Sequence, residues 1–218
     1  MERDVHEYDG ADITVTYDVN RCIHARECVR GLPEVFDPDK RPWITPDDAD
    51  ADDLAEVITR CPTGALHFER KDDGWAETVP EENRVSVAAD GPLYALGDIE
   101  ITSEDGDVLL SDTRVAFCRC GASANKPLCD NSHLDIEFEA TGTVGRESTS
   151  DEPPEETLQV TPTKDGPLHA EGKFEIEGQD DGSTYRGEDA WLCRCGGSEN
   201  KPFCDGTHAR IGFTSGDD

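Results

Sequence analysis

The chain has 218 residues, with 50 acidic against 20 basic side chains and a net charge of −30. No apolar run approaches the roughly 18 residues of a membrane-spanning helix, Met1 to His6 is too polar for a secretory signal, and so negative a protein is repelled by nucleic acid and anionic membranes. The acidic residues are spread between apolar segments, which reads as a folded protein of a salt-saturated cytoplasm, that of a halophilic archaeon, and not as a disordered acidic tail. Nine cysteines, an odd number without an export signal, argue against a disulfide framework.

In chain order, Ile13 to Tyr17 alternates as a strand. Cys22 and Cys28 follow, and Asp47 to Arg60 is a predicted helix with Leu54, Val57 and Ile58 on its apolar face. It ends at Cys61-Pro62, which completes a first group of three thiols, and Trp43 reads as packing around that group. A paired Cys with a distant Cys-Pro resembles the bacterial ferredoxin run C-x2-C-x2-C…C-P. The middle Cys of that run falls on Ala25, so three cysteines remain, and His24 is the nearest candidate for a fourth ligand. His6, His67 and His169 lack Cys neighbours at ligand spacing and read as surface or core residues; Trp75 is uninformative.

Residues 90–138 then align with 165–213 at a constant offset of 75, identical at 22 of 49 positions, which marks a duplicated domain. In each copy the first half reads as strands: Ala95 to Thr102 and Val108 to Phe117 with a turn at Asp105-Gly106, then Glu171 to Glu177 and Ala190 to Leu192. The second half reads as a loop entering a helical turn at Pro127–His133 and Pro202–His208, with Pro at the first helical position. Gly145 to Pro162, rich in Glu, Ser, Thr and Pro, reads as a solvated linker.

Each copy presents C-x-C, eight residues, Cys, three residues, His: Cys118, Cys120, Cys129 and His133, then Cys193, Cys195, Cys204 and His208. Three thiolates and an imidazole suit tetrahedral zinc or an iron–sulfur cluster. C-x-C is tighter than the usual zinc-finger spacing and favours the cluster. Arg119 and Arg194 read either as steering an acidic redox partner or as solvated loop charges, and Trp191, like Trp43, as packing around a cluster.

Cys118-Arg-Cys, Ser123, Pro127 and Cys129-Asp-Asn-Ser-His133 resemble the CDGSH (mitoNEET-like) motif, and Cys193-Arg-Cys, Ser198, Pro202 and Cys204-Asp-Gly-Thr-His208 resemble it more fully; Asn131 stands where that family has Gly. The resemblance implies one 2Fe-2S cluster per motif, held by three Cys and one His, and a tandem pair forming an internal pseudo-dimer. The N-terminal stretch, with Arg21-Cys22-Ile23-His24, Gly31-Leu32-Pro33 and Arg41-Pro42-Trp43-Ile44, resembles a divergent single-cluster ferredoxin domain. That implies one 3Fe-4S or 4Fe-4S cluster on Cys22, Cys28 and Cys61. A single imidazole ligand raises a cluster's potential relative to all-thiolate ligation and is open to protonation near neutral pH.

The expected fold is α+β: a small ferredoxin-like α+β domain (1–80), a first CDGSH domain (84–143), an acidic linker (144–163) and a second CDGSH domain (164–218). The expected function is electron transfer, cluster transfer or iron and redox homeostasis by a cytoplasmic monomer with an internal pseudo-twofold. Its partner would be a redox or cluster-acceptor protein, and no nucleophile–base pair or phosphate loop suggests an enzyme. The alternatives are a zinc-stapled interaction module and an electron-transfer subunit of an oxidoreductase.

Overall fold

The computed structural model describes residues 3–154 and 156–216. The chain is mostly β with few, short helices, and it divides into two compact units, one ending at Thr78 and the other beginning at Val79. No helix among the described residues is long and apolar enough to cross a membrane.

In the first unit, β1 (Val5–Asp9), β2 (Ile13–Asp18) and β3 (Leu66–Arg70) form an antiparallel sheet in that order. The predicted strand is the central one, because alternation turns Ile13 and Val15 into the core. A short helix, α1 (Glu27–Gly31), follows the first cysteine. The predicted helix 47–60 breaks in two: a 3-10 turn at Pro46–Asp48, and α2 at Ala51–Thr59. The break lies at Asp50, whose carboxylate accepts the Asp52 N–H at 2.9 Å and caps α2. Leu54, Ala55 and Ile58 of α2 are fully buried in one core with Val35, Phe36 and Ile44. Burial of each large apolar side chain here is worth roughly 1.5–3 kcal/mol. That packing holds the end of α2, and with it Cys61, against the loop that carries Cys22 and Cys28.

The second unit holds β4 (Arg84–Val87), β5 (Leu93–Thr102), β6 (Val108–Phe117), β7 (Leu158–Pro162), β8 (Leu168–Gly178) and β9 (Thr184–Leu192). The strand segments predicted in each copy lie within β5, β6, β8 and β9. The linker reading fails at its C-terminal end, because β7 occupies it and pairs on both sides: parallel to β5 and antiparallel to β8. Leu158 and Val160 bury while Gln159 faces out; this alternation is too short to stand out among Glu, Thr and Pro.

Pairing between the copies is reciprocal. β4 runs antiparallel to its own β5 and parallel to β8 of the other copy, and β7 runs antiparallel to its own β8 and parallel to β5. β5 and β8 each serve both partners by breaking register at a glycine, Gly97 and Gly172. Gly97 has φ +146°, and a Cβ there would meet the Asn83 Cα at 2.8 Å, so no larger residue fits. Asn83 is itself buried. Its amide donates to the carbonyls of Glu156 and Lys173 (3.1 Å to the latter), and its side-chain oxygen accepts the Asp98 N–H at 2.9 Å.

The helical turns begin later than predicted, as α3 (Ser132–Asp135) and α4 (Thr207–Ile211). Pro127 and Pro202 do not start them. Each precedes an extended residue that bridges back to a strand, Leu128 to Phe117 and Phe203 to Leu192. The carboxylates of Asp130 and Asp205 then accept the N–H of Ser132 and Thr207, both at 2.9 Å, and open the turn.

Candidate metal centres

The three N-terminal thiols line one cavity of about 690 Å³, together with His24, Tyr17, Trp43 and other residues of the same unit. Cys22 leaves a 3-10 turn capped by Asp18, and Arg21 donates to the Thr63 carbonyl at 2.6 Å, tying the Cys22 loop to the Cys61 loop. Cys28 lies on α1, and burial pushes its thiol up to about 11 in the metal-free chain. Left-handed backbone at His24 and Arg26 (φ 55° and 66°) curls the loop, bringing the His24 Nδ1 to 3.9 Å from the Cys22 Sγ. His24 is therefore assembled with the cysteines, and Ala25 also lines the cavity where a ferredoxin would place a thiol. Trp43 packs here as expected, edge-on to Tyr17 with ring centroids 4.8 Å apart. Sequence reasoning missed His6, Tyr8 and Tyr17, which complete the wall. The Tyr17 hydroxyl is raised by burial and by its hydrogen bond to Cys22. No spacing rule links β1 and β2 to a cysteine site; only the sheet does.

In the second unit each motif gathers its four residues as two close pairs. Cys118 and Cys120 have their sulfurs 3.8 Å apart, and the Cys129 Sγ lies 3.5 Å from the His133 Nδ1. The second copy repeats this with 3.9 Å for Cys193 and Cys195 and 3.4 Å for Cys204 and His208. The C-x-C pairs close because Gly121 and Gly196 turn the chain with φ +83° and +77°. At these turns Cys120 and Cys195 bridge each other across the two copies. Backbone N–H groups of Asn131 and Gly206 donate to the Cys129 and Cys204 sulfurs, both at 3.4 Å, and that of Gly197 to Cys195 at 3.4 Å.

Residues 8–71 match the family described as a divergent 4Fe-4S mono-cluster, and residues 90–134 and 165–209 each match the iron-binding zinc finger of CDGSH type. The chain is 39% identical over 64 residues to the uncharacterized protein YjdI of Escherichia coli K12, covering 84% of that protein and 29% of this chain; the YjdI of strain O157:H7 matches equally. The chain belongs to the divergent 4Fe-4S mono-cluster family and carries a tandem pair of CDGSH domains. No solved structure matches it.

In this tandem CDGSH protein the donor geometry fits metal. A tetrahedral metal bound to two thiolates at about 2.3 Å sets them about 3.8 Å apart, and one bound to a thiolate and an imidazole sets those about 3.5 Å apart. All four observed pairs lie near these values. Among the described residues, no three of a motif's four donors come within 4.8 Å of one another. Each motif therefore presents its donors as two separate pairs.

Two sequence readings need correction here. Arg119 and Arg194 are neither partner-steering nor solvated, being 1% and 0% exposed. Arg119 donates to the carbonyls of Gly91 (2.9 Å), Thr141 (3.0 Å), Ala88 and Ala140, and Arg194 to those of Gly166 (3.0 Å) and Thr163 (2.5 Å). Each pins the C-x-C turn to the loop that enters β5 or β8. A guanidinium can be buried there because its fork satisfies several carbonyls at once and thiolates lie nearby. Trp191 does not pack inward either: it faces solvent and stacks on His169 at 3.9 Å, nearly parallel.

Proposed function

We propose that this chain transfers electrons or iron–sulfur clusters, holding one 2Fe-2S cluster at each CDGSH motif and one 4Fe-4S or 3Fe-4S cluster in the N-terminal cavity. The observation that carries this reading is the two-pair arrangement at each motif, which fits a two-iron cluster. Cys118 and Cys120 would hold one iron and Cys129 and His133 the other, with Cys193 and Cys195, and Cys204 and His208, doing the same in the second copy. When bound, such clusters accept and return single electrons.

The chain's own groups shape that chemistry. N–H groups aimed at the thiolates offset negative charge and favour the reduced form. In the N-terminal cavity the Tyr17 hydroxyl does the same for Cys22, and His24 is the candidate fourth ligand if the cluster holds four irons. The reciprocal strand pairing supports an internal pseudo-dimer of the two CDGSH copies, and the small sheet with α2 supports a ferredoxin-like N-terminal module. The acidic composition suits a salt-rich cytoplasm, and the partner is a redox or cluster-acceptor protein, with no bond chemistry of the chain's own.

The second reading is a zinc-stapled interaction module, which would draw the four donors of a motif onto one ion; their arrangement as two pairs supports the cluster reading. The deciding measurement is iron, zinc and acid-labile sulfide per chain on protein purified without oxygen. About 7 or 8 irons with nearly as much sulfide are expected; about two zincs, with iron confined to the N-terminal unit, would refute the tandem redox reading.

A further inference from the structure

The two CDGSH sites share one ligand pattern but not one environment. At the first, Cys120, Cys129 and His133 are buried, at 9%, 3% and 9% exposure. At the second, Cys195, Cys204 and His208 are all half-buried. The sequence differences that accompany this fall at equivalent positions. Tyr94 in the first copy is half-buried and close enough to Cys129 to feel its charge. Its counterpart in the second copy is His169, which lies over the exposed Trp191 and reaches the carboxylates of Asp189 (3.1 Å) and Glu171 (3.3 Å). In the first copy the position of Trp191 is held by Ala116, which offers no such platform. Asn131, half-buried, adds a side chain beside Cys129 where Gly206 has none.

We infer that the second site, on Cys193, Cys195, Cys204 and His208, is the exchange port of the tandem pair, while the first is a retained site shielded by Tyr94 and Asn131. The inference rests on the proposed function, since it assigns different tasks to two clusters of one kind. Cys193, Cys195, Cys204 and His208 would hold the cluster, and exchange would be ligand substitution without electron transfer: incoming carboxylates and amines would take the places of thiolate and imidazole on iron, and sulfide would depart as hydrosulfide with a proton from water. The half-exposed pair Cys204 and His208 gives the incoming ligand a line of approach that the buried Cys129 and His133 do not.

The test uses the full, iron-loaded chain with EDTA as the stripping ligand and iodoacetamide to trap each thiol as its metal leaves. Mass spectrometry reads alkylation at each cysteine, which separates the two motifs from each other and from the N-terminal unit. Cys195 and Cys204 are expected to alkylate several-fold faster than Cys120 and Cys129, with the metal-free chain alkylating at both motifs faster than EDTA strips either. Equal rates, or faster opening of the first motif, would overturn the inference. The double variant Y94H/N131G should bring the first motif's rate up to that of the second; an unchanged rate overturns the shielding role of those two residues. Chains without iron and sulfide at both motifs would instead refute the proposed function, so the two failures are distinguishable.

Discussion

Replacing Arg119 with methionine keeps a long apolar stem and removes the guanidinium that holds the first C-x-C turn. Three of its hydrogen bonds, to Gly91, Thr141 and Ala88, are short enough to count fully, and the one to Ala140 is long at 3.4 Å. At roughly 1.5–3 kcal/mol for each bond from a charged donor, the gross loss is about 4.5–9 kcal/mol. Relief from burying a cation offsets part of this, leaving a net loss of about 3–5 kcal/mol, in line with about 1–3 kcal/mol for each of three carbonyls left without a donor. With a urea dependence of about 2 kcal/mol per molar, the unfolding midpoint should fall by about 1.5–2.5 M. The assay is urea unfolding of the metal-loaded protein at fixed salt, followed by far-ultraviolet circular dichroism. Arg119→Lys should recover only part of the loss, because a single ammonium lacks the fork that reaches several carbonyls. A loss below about 1 kcal/mol for Arg119→Met would refute the view that this arginine organises the turn.

Asn83→Ala should destabilise the second unit by about 2–4 kcal/mol, since it strands buried partners in both copies at once; urea unfolding reads this, and a neutral result would dissociate the amide from strand exchange. Asp165 accepts the Ser215 N–H at 2.8 Å, which holds its carboxyl below the ordinary value of 3.8. Because the folded-state value is depressed, its stabilisation is complete above about pH 4 and fades as pH falls further; in acid titration, wild type and Asp165→Asn should differ at neutral pH and converge at low pH. His208→Cys adds a negative charge to its site and should lower one reduction potential in a voltammetric titration while leaving the others in place. The net charge of −30 should make the fold weaker in dilute buffer than in molar salt, where the screening length falls from about 10 Å to about 3 Å; thermal unfolding across a potassium chloride series would reveal it.

The grouped donors are legible because C-x-C, Cys and His recur at a fixed offset, and a long hairpin strand such as Leu93–Thr102 carries its own alternation. What escaped was whatever depends on distant pairing. β7 has two inward residues and becomes a strand only because β5 and β8 flank it. Arg119 is charged and lies between two cysteines at the start of a loop, so its sequence context reads as solvent; its burial follows from carbonyls 28 and 31 residues upstream that the fold brings round it. Pro127 suits a helix start, but the turn begins later because the backbone there must stay extended for Cys129 to pair with Ala116 at 2.8 Å. The sequence places Tyr17 in a strand but not in a cavity wall, since periodicity reports which face is buried and not what that face encloses.

Because β4 completes the sheet of β8 and β7 completes that of β5, neither CDGSH copy owns the centre of its own fold. A protease that nicks the acidic stretch ahead of β7 would cut one covalent tie and leave two interlocked halves, each plugged by the other's strand. Damage to the strands therefore cannot be quarantined: a substitution that loosens the sheet of either copy is felt in the fold of both.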